Sequence, residues 1–441
     1  MNADFYHVDR RLSVERIADR WGTNERVSLK KALLYSETVL PFAPALPYIG
    51  LANIESEFCT LIDTDEAVPE GNCRRFVAGQ VLYGKLRPYL NKIYIAEKSG
   101  QCSPEFYALS PANPAKLLPE FLAAFLMSNS CLSQTIHMMT GNTHPRIQRE
   151  DFEEILIPLP SIYIQRKLIS FIEAARLSRQ KKHVEADALM AGVDEYILKE
   201  LGLTAAQEDD RRVFAVRLKH CASTRVDALY NAPRFLKLLE ALNDCHYPKI
   251  LLGEISPELA GGATPKRGDA ELYTDDGVKF LRILNVAPFR INLDDVKHIR
   301  DSVHEGELSR SQLATGDVLM TITGRVGTAA VVAKDILPAN INQHIVRLRI
   351  RRKDCLPEYL AAYLNSSIGN ALSNRGVTGG TRIALDYETI RNLTIPLPSL
   401  EIQHKVTKEL SRRQDEARRL RTEAQSEWEA AKARFEAELL G

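Results

Sequence analysis

The chain has 441 residues, 45% of them hydrophobic and 26% charged, with 21 prolines and 23 glycines, a composition that excludes a disordered or fibrous protein and leaves room for two or three folded domains. Its 58 basic side chains are balanced by 57 acidic ones, for a net charge of +1, so any binding to nucleic acid has to come from local patches rather than a global field. No apolar run reaches the roughly 18 residues of a membrane span, and the opening MNADFYHVDRRLSVERIADRW has no apolar signal core, so a cytoplasmic protein without a membrane anchor is expected.

Seven cysteines, Cys59, Cys73, Cys102, Cys131, Cys221, Cys245 and Cys355, are odd in number and scattered without a CxxC pair, which reads as reduced, mostly buried thiols rather than disulfides or metal ligands. GQVLYGKLRP, from Gly79, alternates apolar and polar residues and predicts a strand. Lys85, Arg87 and Tyr89 stand at the tip of its hairpin. LPEFLAAFL, from Leu118, predicts a helix with Pro119 in its first turn and Phe121, Leu122, Phe125 and Leu126 on one apolar face. Those aromatics belong to a core. GNTHPR, from Gly141, puts Thr143 and Arg146 beside a glycine turn, and the apolar run that follows ends in Ile-Pro-Leu-Pro-Ser.

Much of this is written a second time. LPEYLAAYL, from Leu356, repeats the helix with two Phe exchanged for Tyr, and GGTRIALDYETIRNLTIPLPS, from Gly379, follows GNTHPRIQREDFEEILIPLPS, from Gly141, at the same offset of 238 residues. Upstream, FLRILNV from Phe280 matches YIGLANI from Tyr48, and GDVLMTITGR from Gly316 matches GQVLYGKLRP. The chain is a tandem duplication whose halves share a frame and differ between its fixed points.

After each Pro-Leu-Pro-Ser the character changes. Residues 165–201 contain no proline and one glycine, and residues 403–440 contain neither, which predicts long helices, roughly 55 Å each, with Ser161 and Ser399 placed to cap them. Gln165 and Gln403 sit one position too late for a capping box. Val406, Leu410, Ala417, Leu420, Ala424, Trp428, Ala431, Phe435 and Leu439 form a narrow seam interrupted at Arg413; Leu168, Ile172, Ala175, Leu189, Val193 and Ile197 make a patchier stripe. Two such helices bury their stripes on each other, antiparallel if the halves are related by a two-fold axis.

Two variable globular halves, each closed by Ile-Pro-Leu-Pro-Ser and followed by a long helix, together with TRVDALYNAPRFLKLLEAL from Thr224, GGATPKRGD from Gly261 and INQHIVRLRI from Ile341, resemble the specificity subunit of type I restriction-modification enzymes. The resemblance implies an α+β fold: two similar mixed target-recognition domains separated by two long helices packed as an antiparallel coiled coil, pseudo-two-fold symmetric. Recognition domains then occupy residues 1–160 and 204–398, and helices 161–203 and 399–441. The implied role is to read a bipartite sequence in double-stranded DNA without catalysis, and to direct two adenine methyltransferase subunits, and ATP-dependent restriction subunits where present, to it. S-adenosylmethionine belongs to the methyltransferase; this chain is expected to carry no cofactor and no metal.

Arginine can donate twice to guanine and can also clamp phosphate. That singles out Arg146 with Thr143, Arg382 with Thr381, Lys85, Arg87 and Tyr89 in the first hairpin, Thr323 and Arg325 in the second, and Gln343 for a base edge. For the loops and hairpins the competing interpretation is an exposed turn or hairpin with solvating charge; for Gln343, and for His344 beside it, it is a place in a buried network. The basic runs 179–182 and 349–353 read as solvated faces. GxxxxGK[ST], HExxH, GxSxG and an Asn/Asp-Pro-Pro-Tyr/Phe tetrapeptide are all missing. The alternative from another class is a coiled-coil scaffold with two protein- or glycan-binding domains.

Overall fold

The computed structural model describes residues 8–64, 69–204, 211, 213–216, 225–264, 272–378 and 383–441. The chain divides into two compact units, residues 1–185 with 419–441, and residues 186–418.

In the first unit the closing Ile-Pro-Leu-Pro segment is a strand, Leu156–Pro158, paired antiparallel with the opening strand Arg26–Ser28. A four-stranded antiparallel sheet follows the order Leu33–Tyr35, Phe106–Pro111, Val81–Gly84, Ile93–Ile95. A second sheet has the order Val39–Pro41, Asn72–Phe76, Gly100–Cys102, Tyr48–Ile49, its last pair parallel. Helix Pro119–Met127 packs on the first sheet through Phe121, Leu122, Phe125 and Leu126, all at most 1% exposed, so each contributes about 1.5–3 kcal/mol of burial. These aromatics are core, as their spacing predicts.

The second unit repeats the plan. Thr394–Pro396 pairs with Lys249–Leu251, again antiparallel, and the antiparallel sheet is Glu258–Gly261, Ile345–Arg349, Val318–Thr321, Ala329–Val331. The second sheet keeps the parallel pair, Val278–Leu281 with Ala339–Ile341. There the halves part company: the third strand joins Gly100–Cys102 in the first unit but Val278–Leu281, the other member of the pair, in the second. Frame strands are fixed by the duplicated apolar pattern, and the strands added beside them are not.

The long helices span Ile162–Glu200 and Leu400–Leu440, beginning slightly before the predicted glutamines. Within the first unit they run antiparallel: Lys167 pairs with Glu438 at 2.5 Å, Ser178 donates to Glu427 at 2.6 Å, and Lys182 reaches Glu427 at 2.6 Å and Glu423 at 3.2 Å. Leu168, Ile172 and Ala175 share a core with Trp428, Phe435 and Leu439. The second unit repeats the antiparallel pairing, with Lys405 to Glu200 at 2.8 Å and Val193, Ile197, Val406 and Leu410 in its core. The predicted seam is buried except for half-buried Ala431 and Leu189. Arg413, where the seam breaks, lies over Gly192, the glycine of the first long helix: a Cβ there would stand 2.7 Å from Nη1.

Each glutamine after Pro-Leu-Pro-Ser is fully buried. Gln165 Oε1 accepts from Leu118 N at 2.9 Å while its Nε2 donates to Lys116 O and Pro160 O at 2.7 and 2.8 Å. Gln403 does the same with Leu356 N, Asp354 O and Pro398 O at 2.9, 2.7 and 2.9 Å. These residues join each long helix to the repeated helix of its unit. Ser161 Oγ accepts from Ile164 N at 3.4 Å, a long cap bond.

Candidate nucleic-acid interface

In both units the central strand of the antiparallel sheet runs out into a turn that meets the loop carrying the predicted arginine. Lys85 O accepts from Ile147 N at 3.1 Å, and Ile322 O accepts from Leu385 N at 2.9 Å. One residue on, Leu86 bridges to Arg146 and Thr323 to Ala384. The next residue is left-handed in both: Arg87 at φ 49° and Gly324 at φ 63°. Glycine adopts that conformation at no steric cost, whereas a side chain there costs about 1–2 kcal/mol, and Arg87 is held in it by its own N–H on Pro145 O at 2.7 Å.

The first unit therefore gathers Lys85, Arg87, Tyr89, Thr143 and Arg146 around one turn and one loop. Tyr89 and Thr143 are exposed. Arg87 Nη2 makes a long 3.5 Å contact with Thr143 O, and its Nε is buried without an acceptor. Lys85 Nζ lies 5.6 Å from the Tyr107 ring centre.

Arg146 is engaged within the unit. Its Nε and Nη2 donate to Glu105 Oε2 and Oε1 at 3.0 and 2.9 Å, and Nη1 donates to His144 O at 3.2 Å. The guanidinium holds the Glu105 carboxyl below its ordinary range, with Lys85 adding to the effect. The donor edge that would fit guanine is closed on a carboxylate. Glu105 escaped the sequence reading because an isolated acid in a turn carries no signal; aligning QCSPEFYALS with NINQHIVRLR sets it opposite His344.

That equivalence holds in space: Lys85 N donates to Glu105 O, and Ile322 N to His344 O. In the second unit Thr323 Oγ1 lies 3.0 Å from His344 Nδ1. Gln343, though exposed, accepts a hydrogen bond from the Thr264 hydroxyl. Arg325 is exposed and its side chain has no partner among the described residues. Thr381 and Arg382 lie outside the described residues.

The basic runs are partly solvated, with Lys181, Arg351 and Lys353 exposed, and partly tied into the frame through Arg179 and Arg349. Arg179 binds Glu55 through both nitrogens at 3.1 and 2.7 Å, and Arg349 is paired with Asp317, Arg351 with Glu258 and Arg352 with Asp354, each at 2.7 Å. Among the described residues no His, Cys, Asp or Glu cluster could hold a metal, and no helix is long and apolar enough to cross a membrane. Cys73, Cys102, Cys131, Cys245 and Cys355 are free and buried and Cys59 is free and half-buried; burial pushes the thiols of Cys102, Cys131 and Cys355 up to about 12. Cys221 lies outside the described residues.

A family model described as the type I restriction modification DNA specificity domain matches residues 30–182, within the first unit, and 252–425, almost all in the second. The specificity subunit of the type I restriction enzyme EcoBI of Escherichia coli is 26% identical over 133 residues, 30% of this chain and 28% of that protein. The corresponding EcoDI subunit of the same organism is 30% identical over 98 residues, 22% of this chain and 21% of that protein. The matched segments thus span about a quarter of the length of these relatives. A chain solved in a study of complex assembly and conformational transition of the type I R-M system shares the fold, with a TM-score of 0.51 at 19% identity over 94% of this chain and 96% of that one. With the family model covering most of the sequence and falling on both repeats, the chain belongs to the type I restriction-modification DNA specificity family.

Proposed function

We propose that this chain is the DNA-reading subunit of a type I restriction-modification system, each unit contacting one half of a bipartite site in duplex DNA. The observation that carries the reading is the same turn-and-loop junction occurring in both units, at Leu86 with Arg146 and at Thr323 with Ala384, with basic residues gathered on its exposed side. Recurrence of one frame with different side chains at its tip is what two half-sites of different sequence require. Residues 1–160 and 204–398 act as the recognition domains, and 161–203 and 399–441 as the helices that connect them and dock methyltransferase subunits.

In this reading the chain is the address and not the catalyst. Arg87, Tyr89 and Thr143 make the contacts of the first unit, with Lys85 adding positive charge; Arg325 and Gln343, with Thr381 and Arg382, make those of the second. Adenine methyltransferase subunits bring S-adenosylmethionine, and ATP-dependent restriction subunits complete a nuclease where they are encoded. The complex works in the cytoplasm, where the DNA is.

Two measurements test the role. Methylation mapping of the host with and without the gene should show one split motif that disappears on deletion; identical motifs in both strains would overturn it. Binding of the chain to duplex should weaken linearly in log K against log salt, and binding without a salt slope would favour a protein- or glycan-binding scaffold.

A further inference from the structure

We infer that Glu105 is a specificity-determining residue of the first unit: it closes the fork of Arg146 and turns the spare lone pairs of its own carboxylate toward the DNA-facing side. The inference rests on the DNA-reading role proposed above.

A carboxylate beside Lys85 and Arg146 repels phosphate, so for non-specific affinity alone it is unfavourable. Glu105 is nevertheless held in place by more than its charge. Its N–H donates to Ser103 Oγ at 3.2 Å and its carbonyl accepts from Lys85 N at 2.9 Å, so backbone and side chain are both fixed. Arg146 takes one lone pair from each carboxylate oxygen, whereas an ionised carboxylate offers about four. The Glu105 side chain remains 27% exposed and that of Arg146 38%, so the pair sits at the surface with acceptor capacity left over.

Such an acceptor selects. It can take a hydrogen bond from the exocyclic amino group of cytosine or adenine and is repelled by guanine O6 and N7 and by phosphate. An unpaired Arg146 would favour the opposite partners. Pairing the two therefore reverses what this surface accepts, from guanine or phosphate to an amino-bearing base, while Arg146 orients the carboxylate. At the equivalent place in the second unit His344 meets Thr323, so the position is polar and locally tied in both units but differs in charge, as half-sites of different sequence need.

The test uses the full chain with duplexes bearing its mapped site, each single-base-pair variant of that site, and random sequence. Glu105→Gln keeps the shape and one acceptor for Arg146 but removes the negative charge. Binding to random duplex should rise several-fold, with the slope of log K against log salt steeper by about 0.9, one added phosphate contact. Discrimination at one base pair of the half-site read by the first unit should fall about tenfold or more, and the other half-site should be read as before. A merely structural Glu105 would give weaker binding without a steeper slope, and that result, or discrimination unchanged at every position, overturns the inference. If Glu105→Gln melts below the parent, the Glu105→Ala/Arg146→Ala pair substitutes for it; loss of discrimination at that base pair with a parental salt slope supports the inference, and retained discrimination ends it. A parent chain with no salt slope overturns the DNA-reading role itself.

Discussion

Gln165 accepts the Leu118 N–H at 2.9 Å across 47 residues of chain. Its carboxamide is satisfied by three backbone groups of the first unit, and Gln403 reproduces all three bonds in the second. Gln165→Leu would strand these groups in a buried site, each at a cost of about 1–3 kcal/mol. Hydrogen exchange should speed up at Leu118 and leave Leu356 protected; Gln403→Leu should do the reverse.

One of the two Phe-to-Tyr exchanges between the repeats, Phe125 to Tyr363, has a structural reason. Tyr363 donates its hydroxyl to Thr394 O at 3.1 Å. In the first unit the matching residue is Phe125, and the matching carbonyl, Leu156 O, accepts instead from Gln134 Nε2 at 3.1 Å. Where Gln134 stands in the first unit, the second has apolar Leu372. Gln134→Leu should therefore destabilise the first unit by about 1–3 kcal/mol, and Phe125→Tyr on that background should recover part of the loss in a urea melt. No recovery would mean the two sites are not interchangeable.

Gly192 lies under Arg413 in the second unit. Alanine gains up to about 1 kcal/mol in a helix interior, and the clashing atom is the end of a flexible side chain whose bond to Leu189 O is a long 3.4 Å. Propensity wins: Gly192→Ala should leave the melting temperature unchanged or raise it, whereas Gly192→Leu should lower it.

Acid should loosen the helix pair. Lysine partners across the pair hold Glu423, Glu427 and Glu438 below the ordinary carboxylate value of 4.5, while Arg412 and Arg413 of its own helix hold Glu409 at about 2, so Glu409 supports the helix rather than the pairing. A carboxylate depressed in the folded state contributes stability above its unfolded value and loses it as pH falls through the folded one. The expected window runs from pH 4.5 down to about 2, read by helical circular dichroism and thermal melts at successive pH. These pairs are only partly buried, so high salt should shrink the effect.

Arg325→Ala removes an exposed guanidinium with no described partner and should weaken recognition of the second half-site by about 1–3 kcal/mol if it reaches a base, or cut the salt slope by about one contact if it reaches phosphate. Arg87→Ala should do the same for the first half-site. Filter binding at several salt concentrations separates the outcomes.

The duplication, the two long helices and the apolar faces were legible in the sequence because burial imposes periodicity: Phe121 with Phe125, or Val406 with Leu410, are spaced by the helix itself. The same repeat singled out Lys85, Arg87 and Arg146 as candidate contacts. What a side chain does at the tip depends on partners distant along the chain. Glu105, 41 residues before Arg146, closes its fork, and Gln165, a position late for a capping box, uses its amide to hold another helix. Likewise the exchange of Phe125 for Tyr363 is silent without Gln134. Hydrogen bonds and ion pairs between distant residues leave no period in the sequence, so only the tertiary structure could decide which of the marked groups are held by the fold and which stay exposed.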